Sequence, residues 1–219
     1  MVKTEIDIPD SIKSKLLIFD RLLHDWHKAK NLVSKSTMQD LWRRHFLDSY
    51  QLIRLRSKHL ASLETEILTN ENWLDIGSGA GLPGMVIAIA ASCAETQSEI
   101  GSVTLVEANA RKCAFMSAVS RETHAPAIIL NTRIESLSLN SLSEKPDVIT
   151  ARALAPLPKL CSLLAPLMTQ DTVALVHKGQ DFVVELEKTA KIWDFTVVQH
   201  QSVVDESSVI LEISNLKKR

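Results

Sequence analysis

The chain is poor in cysteine, in long apolar runs and, outside one segment, in glycine, and each shortage closes off a class of protein. Its three cysteines among 219 residues (Cys93, Cys113 and Cys161) lie far apart and never in CxxC spacing. That argues against a disulfide framework or a Cys-rich zinc site and fits the reducing cytoplasm. The apolar run that begins at Met85 falls well short of the ~20 residues a membrane helix needs, so no membrane span is expected. The N-terminus carries acids and no apolar core ahead of a cleavage site, so it does not read as a secretory signal. Against these shortages, 45% apolar and 23% charged residues describe a globular chain and exclude wholesale disorder. The length fits one large domain, or one domain with an appended segment, rather than two independent cores.

Net charge is only −1, so a strongly basic footprint is absent from the average, but the average hides a division. Residues 1–60 hold 12 Lys/Arg against 7 Asp/Glu, and residues 61–219 hold 13 against 19. A basic N-terminal segment on an acidic body can mark contact with a polyanion. A solvated helical surface produces the same division, so charge alone does not choose.

Residues 10–30 and 38–60 read as helices. Ile12, Leu16, Phe19, Leu22, Leu23 and Trp26 recur at steps of three and four and form one apolar stripe, with Asp10 placed as an N-cap. In the second, Met38, Leu41, Trp42, His45, Phe46, Ser49 and Leu52 share a face. From residue 72 short β-rich runs alternate with helical ones. Strands are expected at 72–76, 103–107, 127–130, 147–151 and 172–177, with helices at 83–94, 110–122, 157–168 and 180–193. Two further strands, 195–199 and 209–213, follow without a helix between them. Alternation implies a parallel sheet covered on both faces, and the terminal pair implies a hairpin with one antiparallel strand.

Four of the six glycines lie in WLDIGSGAGLPG, residues 73–84, between a strand and a helix. Such a turn lets a ligand approach the main chain closely, and Pro83 suits the first helical turn. A dinucleotide site would want GxGxxG, but Leu82 stands where the third glycine would fall. Asp75, two residues before Gly77, would repel a pyrophosphate. S-adenosylmethionine (SAM) carries a sulfonium and an ammonium instead, so an acid beside it is expected. Glu107, at the end of the second strand, is placed to accept hydrogen bonds from ribose hydroxyls, which a dinucleotide and SAM share. These features together favour SAM over the dinucleotide and over a turn that serves packing alone.

The segments WLDIGSGAGLPG, TLVEANARKCAFM, VITARALAPL, ALVHKGQ and the upstream RRHFLDSYQL occur in this order. Together they resemble the RsmG (glucose-inhibited division protein B) family of bacterial small-subunit rRNA methyltransferases, over residues 20–215. The resemblance implies a class I SAM-dependent methyltransferase of α/β, Rossmann-like architecture, with a seven-stranded sheet and a terminal antiparallel hairpin, plus an N-terminal helical extension. It implies methylation of N7 of guanine 527 of 16S rRNA. Family positions contacting SAM correspond to Gly77 and Leu82 in the turn and to Ile134 and Glu135 after the third strand, where the adenine is expected. Arg152 matches an arginine at the mouth of the site. Two departures appear: Ala151, within Thr150-Ala151-Arg152, stands where a serine usually precedes that arginine, and Asn31-Leu32-Val33-Ser34 stands for Asn-Leu-Thr. Residues 66–219 are then the methyltransferase domain and 1–65 a basic helical segment facing RNA. The expected partner is 16S rRNA or an assembling small subunit, met by a monomeric, cytoplasmic enzyme.

Other methyl-transfer chemistries lack their residues. Where an exocyclic-amine methylase would carry Asp/Asn-Pro-Pro-aromatic, the chain reads Ala151-Arg152-Ala153-Leu154. Carbon-5 methylation needs a nucleophilic cysteine, and Cys161, in mid-helix, reads as a small buried hydrophobe. Guanine N7 has a lone pair and no proton, so no general base is required and none is assigned. Arg152 is the candidate for positioning the substrate, through guanine O6 or a phosphate; pairing with a neighbouring carboxylate is the alternative. The binding set for cofactor is Asp75, Gly77, Gly79, Leu82, Glu107, Ile134, Glu135 and Arg152. Arg43, Arg44, His45 and Lys178 are the candidates for RNA, and Lys28, Lys30, Lys35, Arg54, Arg56 and Lys58 extend the basic set. Trp26 and Trp42 lie in the apolar stripes and are expected to pack. His45 and Asp48, three apart on one helical face, lack the further ligands a metal would need; they are expected to lock the helices to the body or to face the target base.

Overall fold

In a computed structural model the strands β1 (Glu71–Ile76), β2 (Ile100–Glu107), β3 (Ala127–Asn131), β4 (Val148–Arg152), β5 (Val173–Lys178), β6 (Trp193–Gln201) and β7 (Val209–Lys218) form one sheet. The structure describes residues 6–30, 40–62, 70–96 and 99–219, with the side chains of 28–30 and 58–62 excepted. Met38, Lys35 and the Asn31–Ser34 departure fall outside it, as do the side chains of Lys28, Lys30 and Lys58. The strand order is β3-β2-β1-β4-β5-β7-β6. β1 to β5 pair in parallel, and β7 runs antiparallel to both of its neighbours. The hairpin expected at the C-terminus is therefore present, with its second strand inserted beside β5 and its first forming the edge. Both strands are longer than the apolar pattern predicts, because exposed residues such as Asp194, Gln201 and Lys217 continue a ladder that apolar periodicity cannot mark.

Strand side chains alternate between two cores. Trp73, Val103, Leu105, Val148 and Leu175 meet α3 (Gly84–Ala91) and α4 (Ala110–Thr123) on one face. Leu74, Ile76, Val106, Ile149 and Val176 meet α5 (Leu157–Leu164) on the other, where Phe182 and Leu186 of α6 (Phe182–Thr189) also pack. α6 stops short of the expected 193, since Trp193 already opens β6. α4 is capped by Asn109, whose side chain accepts from the Arg111 and Lys112 amides.

The N-terminal helices join the first of these cores. α1 (Asp10–Lys30) buries Ile12, Leu16, Phe19 and Leu23, and α2 (Asp48–Ser62) buries Tyr50, Leu52 and Ile53 in the same cluster. Phe19 lies 5.3 Å from Phe46 and 6.0 Å from Phe115, and Trp26 lies 5.5 Å from Phe115. Each such aromatic contributes roughly 1.5–3 kcal/mol by leaving water. The expected 38–60 helix is interrupted by a π-helical turn, Trp42–Leu47. The extra residue per turn puts Leu41 and Phe46, five apart, on the buried side and turns Trp42 outward at 37% exposure. The expected stripe holds at Leu41, Phe46, Ser49 and Leu52, while Trp42 packs only one edge-to-face contact against Phe46, with ring centroids 5.8 Å apart.

Arg56 differs from its expected role. It is buried, and its Nε donates to Glu71 Oε1 at 2.8 Å, which ties α2 to β1 and removes it from the basic set available to RNA. Burial raises the Glu71 pKa, with Arg56 opposing. Arg56→Met leaves that carboxylate without its cation, so the urea unfolding free energy should fall by about 3 kcal/mol. An Arg56→Met/Glu71→Gln double variant should regain part of it; an Arg56→Met chain as stable as the parent would contradict the pairing.

Candidate active site

The strand order reverses at β1, which sends one connection to β2 and lies against β4 on its other side, and a ligand crevice is expected outside the carboxyl ends of strands at such a point. A cleft of about 1310 Å³ opens there. It is lined by Gly77, Gly79, Leu82, Glu107, Ile134, Glu135 and Arg152 from the expected cofactor set, and by Arg43, Arg44, His45 and Lys178 from the expected RNA set. Residues more than a hundred positions apart are thus brought to one cavity.

The glycine turn is shaped by two close approaches. Gly77 has φ +68°, and a Cβ there would lie 2.5 Å from Leu154 Cδ1. At Gly84 a Cβ would fall 2.6 Å from the Asp75 Cβ. A Cβ at Gly79 would meet nothing nearer than the Gly77 carbonyl at 3.9 Å, so the turn stays open where a ligand would rest on it. Glu107 stands at the rim: its Oε2 accepts from the Gly79 amide at 2.9 Å and its Oε1 from the Asn109 amide at 2.8 Å. An open glycine cradle beside a carboxylate fits an adenosine-bearing cofactor with a cationic tail.

Asp75 is the member of the cofactor set that the cleft does not contain. It is 1% exposed and lies beneath the turn. Its Oδ2 accepts from the Gly84 amide at 3.1 Å and its Oδ1 from the Thr150 hydroxyl at 2.8 Å. The carboxylate therefore braces the first turn of α3 against β4 rather than facing a ligand. Burial pushes its pKa up to about 6, with the Thr150 and Gly84 bonds opposing. The folded value lies above the ordinary one, so between about pH 6 and 4 the folded protein holds a proton the unfolded chain has released. This group's contribution accordingly favours the fold as pH falls and weakens as pH rises through 6. Carboxyl titration by NMR, assigned with Asp75→Asn, should show a midpoint near 6 in the ligand-free protein; a midpoint at the ordinary aspartate value would contradict this burial.

Arg152 ends β4 at the cleft mouth. Its Nη1 donates to the Arg44 carbonyl at 3.2 Å and to Asp48 Oδ2 at 3.3 Å. Burial lowers its pKa, while Asp48 and Asp75 oppose. The carboxylate pairing that the sequence left as an alternative is therefore present, and it anchors β4 to the π-helical turn. His177, which sequence reading passed over, completes the contact: its Nε2 lies 3.0 Å from the Asp48 carbonyl and 3.4 Å from Asp48 Oδ2. Burial lowers the His177 pKa despite Asp48. Asp48 thus locks the N-terminal helices to the sheet, one of the two roles open to it.

Lys178 does not present its ammonium to a phosphate. Nζ donates to the Ala155 carbonyl at 2.8 Å and to Glu185 Oε2 at 2.7 Å, with the side chain 8% exposed. Glu185 also accepts from the Leu157 amide. The pair holds the 153–157 segment, which carries Leu154 over Gly77. Arg43 and Arg44 are exposed, and Arg43 Nη2 donates to the Val204 carbonyl at 3.0 Å. That contact brings the 202–208 segment, also missed, to the cleft. Cys161 is fully buried and burial pushes its thiol up to about 12, which removes it as a nucleophile.

Solved structures share this architecture. The plantazolicin methyltransferase BpumL, in complex with a desmethylPZN analog and SAH, aligns with a TM-score of 0.61 at 12% identity, covering 97% of this chain and 100% of that one. A variant of MtNAS in complex with S-adenosylmethionine aligns with a TM-score of 0.57 at 13% identity, covering 93% and 76%. Sheet order, antiparallel β7 and a glycine turn at the switch point make this a class I SAM-dependent methyltransferase fold. Residues 12–213 match the family described as GidB, rRNA small subunit methyltransferase G. Proteins called ribosomal RNA small subunit methyltransferase G from Brucella anthropi (40% identity over 206 residues, 94% of this chain and 89% of that one) and Bartonella tribocorum (38% over 219 residues, 98% and 95%) agree with it. The chain belongs to the rRNA small subunit methyltransferase G family.

Proposed function

We propose that the chain transfers a methyl group from SAM to N7 of guanine 527 of 16S rRNA, acting as a monomer on an assembling small subunit. One observation carries the reading: the exposed Arg43 and Arg44, with His45 and Arg152, share a single cleft with the glycine turn. Residues 1–65 then form the RNA-facing segment and 66–219 the methyltransferase domain. Gly77, Gly79 and Leu82 would hold the cofactor's amino-acid end, Glu107 the ribose hydroxyls, and Ile134 and Glu135 the adenine.

The bound sulfonium supplies an electrophilic methyl, and its charge passes to the purine. The chain's residues need remove no proton, because N7 has none to lose, so rate arises from holding the reacting atoms in line. Arg152 orients the guanine through O6 or an adjacent phosphate, and the basic rim contacts backbone phosphates without reading sequence. The target base must first leave its stack or be presented by the particle. With net charge −1, naked RNA should bind weakly, which favours the particle.

The test is incubation with tritiated SAM and undermethylated small subunits, followed by mapping of the label. Label at N7 of guanine 527, arriving faster in particles than in a short rRNA fragment, is expected. Label at another nucleotide overturns the assignment, and equal rates on the fragment overturn the particle requirement.

A further inference from the structure

Asp48 is held by a residue that no part of the cleft exposes. Gln51 follows it by three positions in the first turn of α2, a spacing at which glutamine and aspartate side chains meet. It is 2% exposed, and a buried amide must find partners for both ends. Its Nε2 donates to Asp48 Oδ1 at 2.7 Å, to the Asp48 carbonyl at 3.1 Å and to Ser202 Oγ at 3.3 Å. Its Oε1 accepts from the Val203 amide at 3.1 Å. Chemistry fixes this orientation, since an ionised carboxylate only accepts and a backbone amide only donates. Each oxygen of Asp48 is therefore assigned: Oδ1 to Gln51, and Oδ2 to Arg152 with His177 beside it.

We propose that Gln51 is a positioning residue for methyl transfer, fixing the Arg152 guanidinium through Asp48 and tying it to the 202–208 segment at the cleft. The inference rests on the reading of Arg152 as a substrate contact. An aspartate's terminal torsion is broad, so without a donor on Oδ1 the carboxylate can swing and the guanidinium loses its fixed bearing. Loss of the Gln51 amide also takes the acceptor from Val203, whose segment lines the cleft. Gln51 itself lines no part of the cleft, so it acts through its neighbours. In a reaction without proton transfer, where alignment is the source of rate, losing such a residue lowers turnover rather than cofactor affinity.

Gln51→Met retains length and volume and removes every hydrogen bond. It is to be compared with the wild type alone and in an Arg152→Ala background, with SAM affinity from calorimetry, thermal midpoint, and kcat and KM on undermethylated particles. In the Arg152-bearing chain kcat should fall about tenfold, since displacement of a positioned group is felt as lost alignment. SAM affinity should stay within about twofold, and in the Arg152→Ala background the same substitution should change kcat by less than about twofold, the mark of residues acting as one unit. Equal losses in both backgrounds, or a lowered midpoint with kcat unchanged, would reduce Gln51 to a structural staple and overturn the proposal. Should Gln51→Met fail to fold, Gln51→Ser, too short to reach Asp48 Oδ1 or the Val203 amide and able to hydrogen-bond within its own helix, enters the same cycle with the same expectations. Turnover is read on whichever nucleotide the wild type labels, so an unexpected target sinks the functional proposal and leaves this one decided by the cycle.

Discussion

A Gly77→Val chain should lose its affinity for SAM by at least about 100-fold while still folding, because close backbone approach to the ligand tolerates no side chain at the first turn position. The residue sits at φ +68°, a region β-branched side chains avoid, and its Cβ would press on Leu154. Strain of this kind costs about 1–3 kcal/mol, which for a chain of this size lowers the thermal midpoint by roughly 3–10 °C. Relief requires Leu154 or the turn to shift, and Leu154 rides on the segment that Lys178 and Glu185 hold. Calorimetry with SAM beside a thermal melt separates the effects. Affinity within tenfold of the parent would mean that this turn is not the cofactor's seat.

The second large effect is expected at Arg152. Arg152→Ala should lower kcat on small subunits by roughly 100-fold, since the substrate base loses its orienting charge-assisted donor. The fold should suffer less: Asp48 loses one partner but keeps Gln51 and His177, and the pair is partly hydrated, with side-chain exposures of 16% and 14%. A loss of about 1–3 kcal/mol in stability is expected for the orphaned acceptor. Undiminished turnover with a large loss of stability would assign Arg152 to the lock alone.

Much of the architecture was legible because it follows from periodicity. Strand and helix alternated in the apolar pattern, and WLDIGSGAGLPG marked a strand, a turn and a helix whatever surrounded them. The meeting of Gly77, Gly79 and Glu107 at one cleft depends on topology that such alternation implies, whereas Leu82, Ile134 and Glu135 were marked only by the family resemblance. What stayed hidden depends on partners distant in sequence. Nothing local distinguishes Lys178, neutralised by Glu185, from a solvated lysine, or Arg56, sealed against Glu71, from an exposed one. Asp75 was placed at the right end of β1, but its burial beneath Gly84 is set by the close packing of α3. The π-helical turn at Trp42–Leu47 shifts the phase of a stripe drawn at 3.6 residues and leaves Trp42 partly exposed, although Leu41, Phe46, Ser49 and Leu52 are buried as that stripe requires. Gln51 offered one local signal, a polar residue between Tyr50 and Leu52 at three positions from Asp48. Its tie to Ser202 and Val203 was beyond any local pattern.

The central claim is that the bend after β1 seats a methyl donor whose methyl goes to a purine ring nitrogen presented at the adjoining edge. It is tested most directly by measuring N7-methylguanosine at position 527, by mass spectrometry of 16S rRNA from a strain lacking the gene and from that strain carrying either the wild-type or the Gly77→Val copy. The account predicts an unmodified guanine in the deletion strain, full modification restored by the wild-type copy, and none restored by the variant. A deletion strain whose rRNA retains its complete N7-methyl content at that site would contradict it.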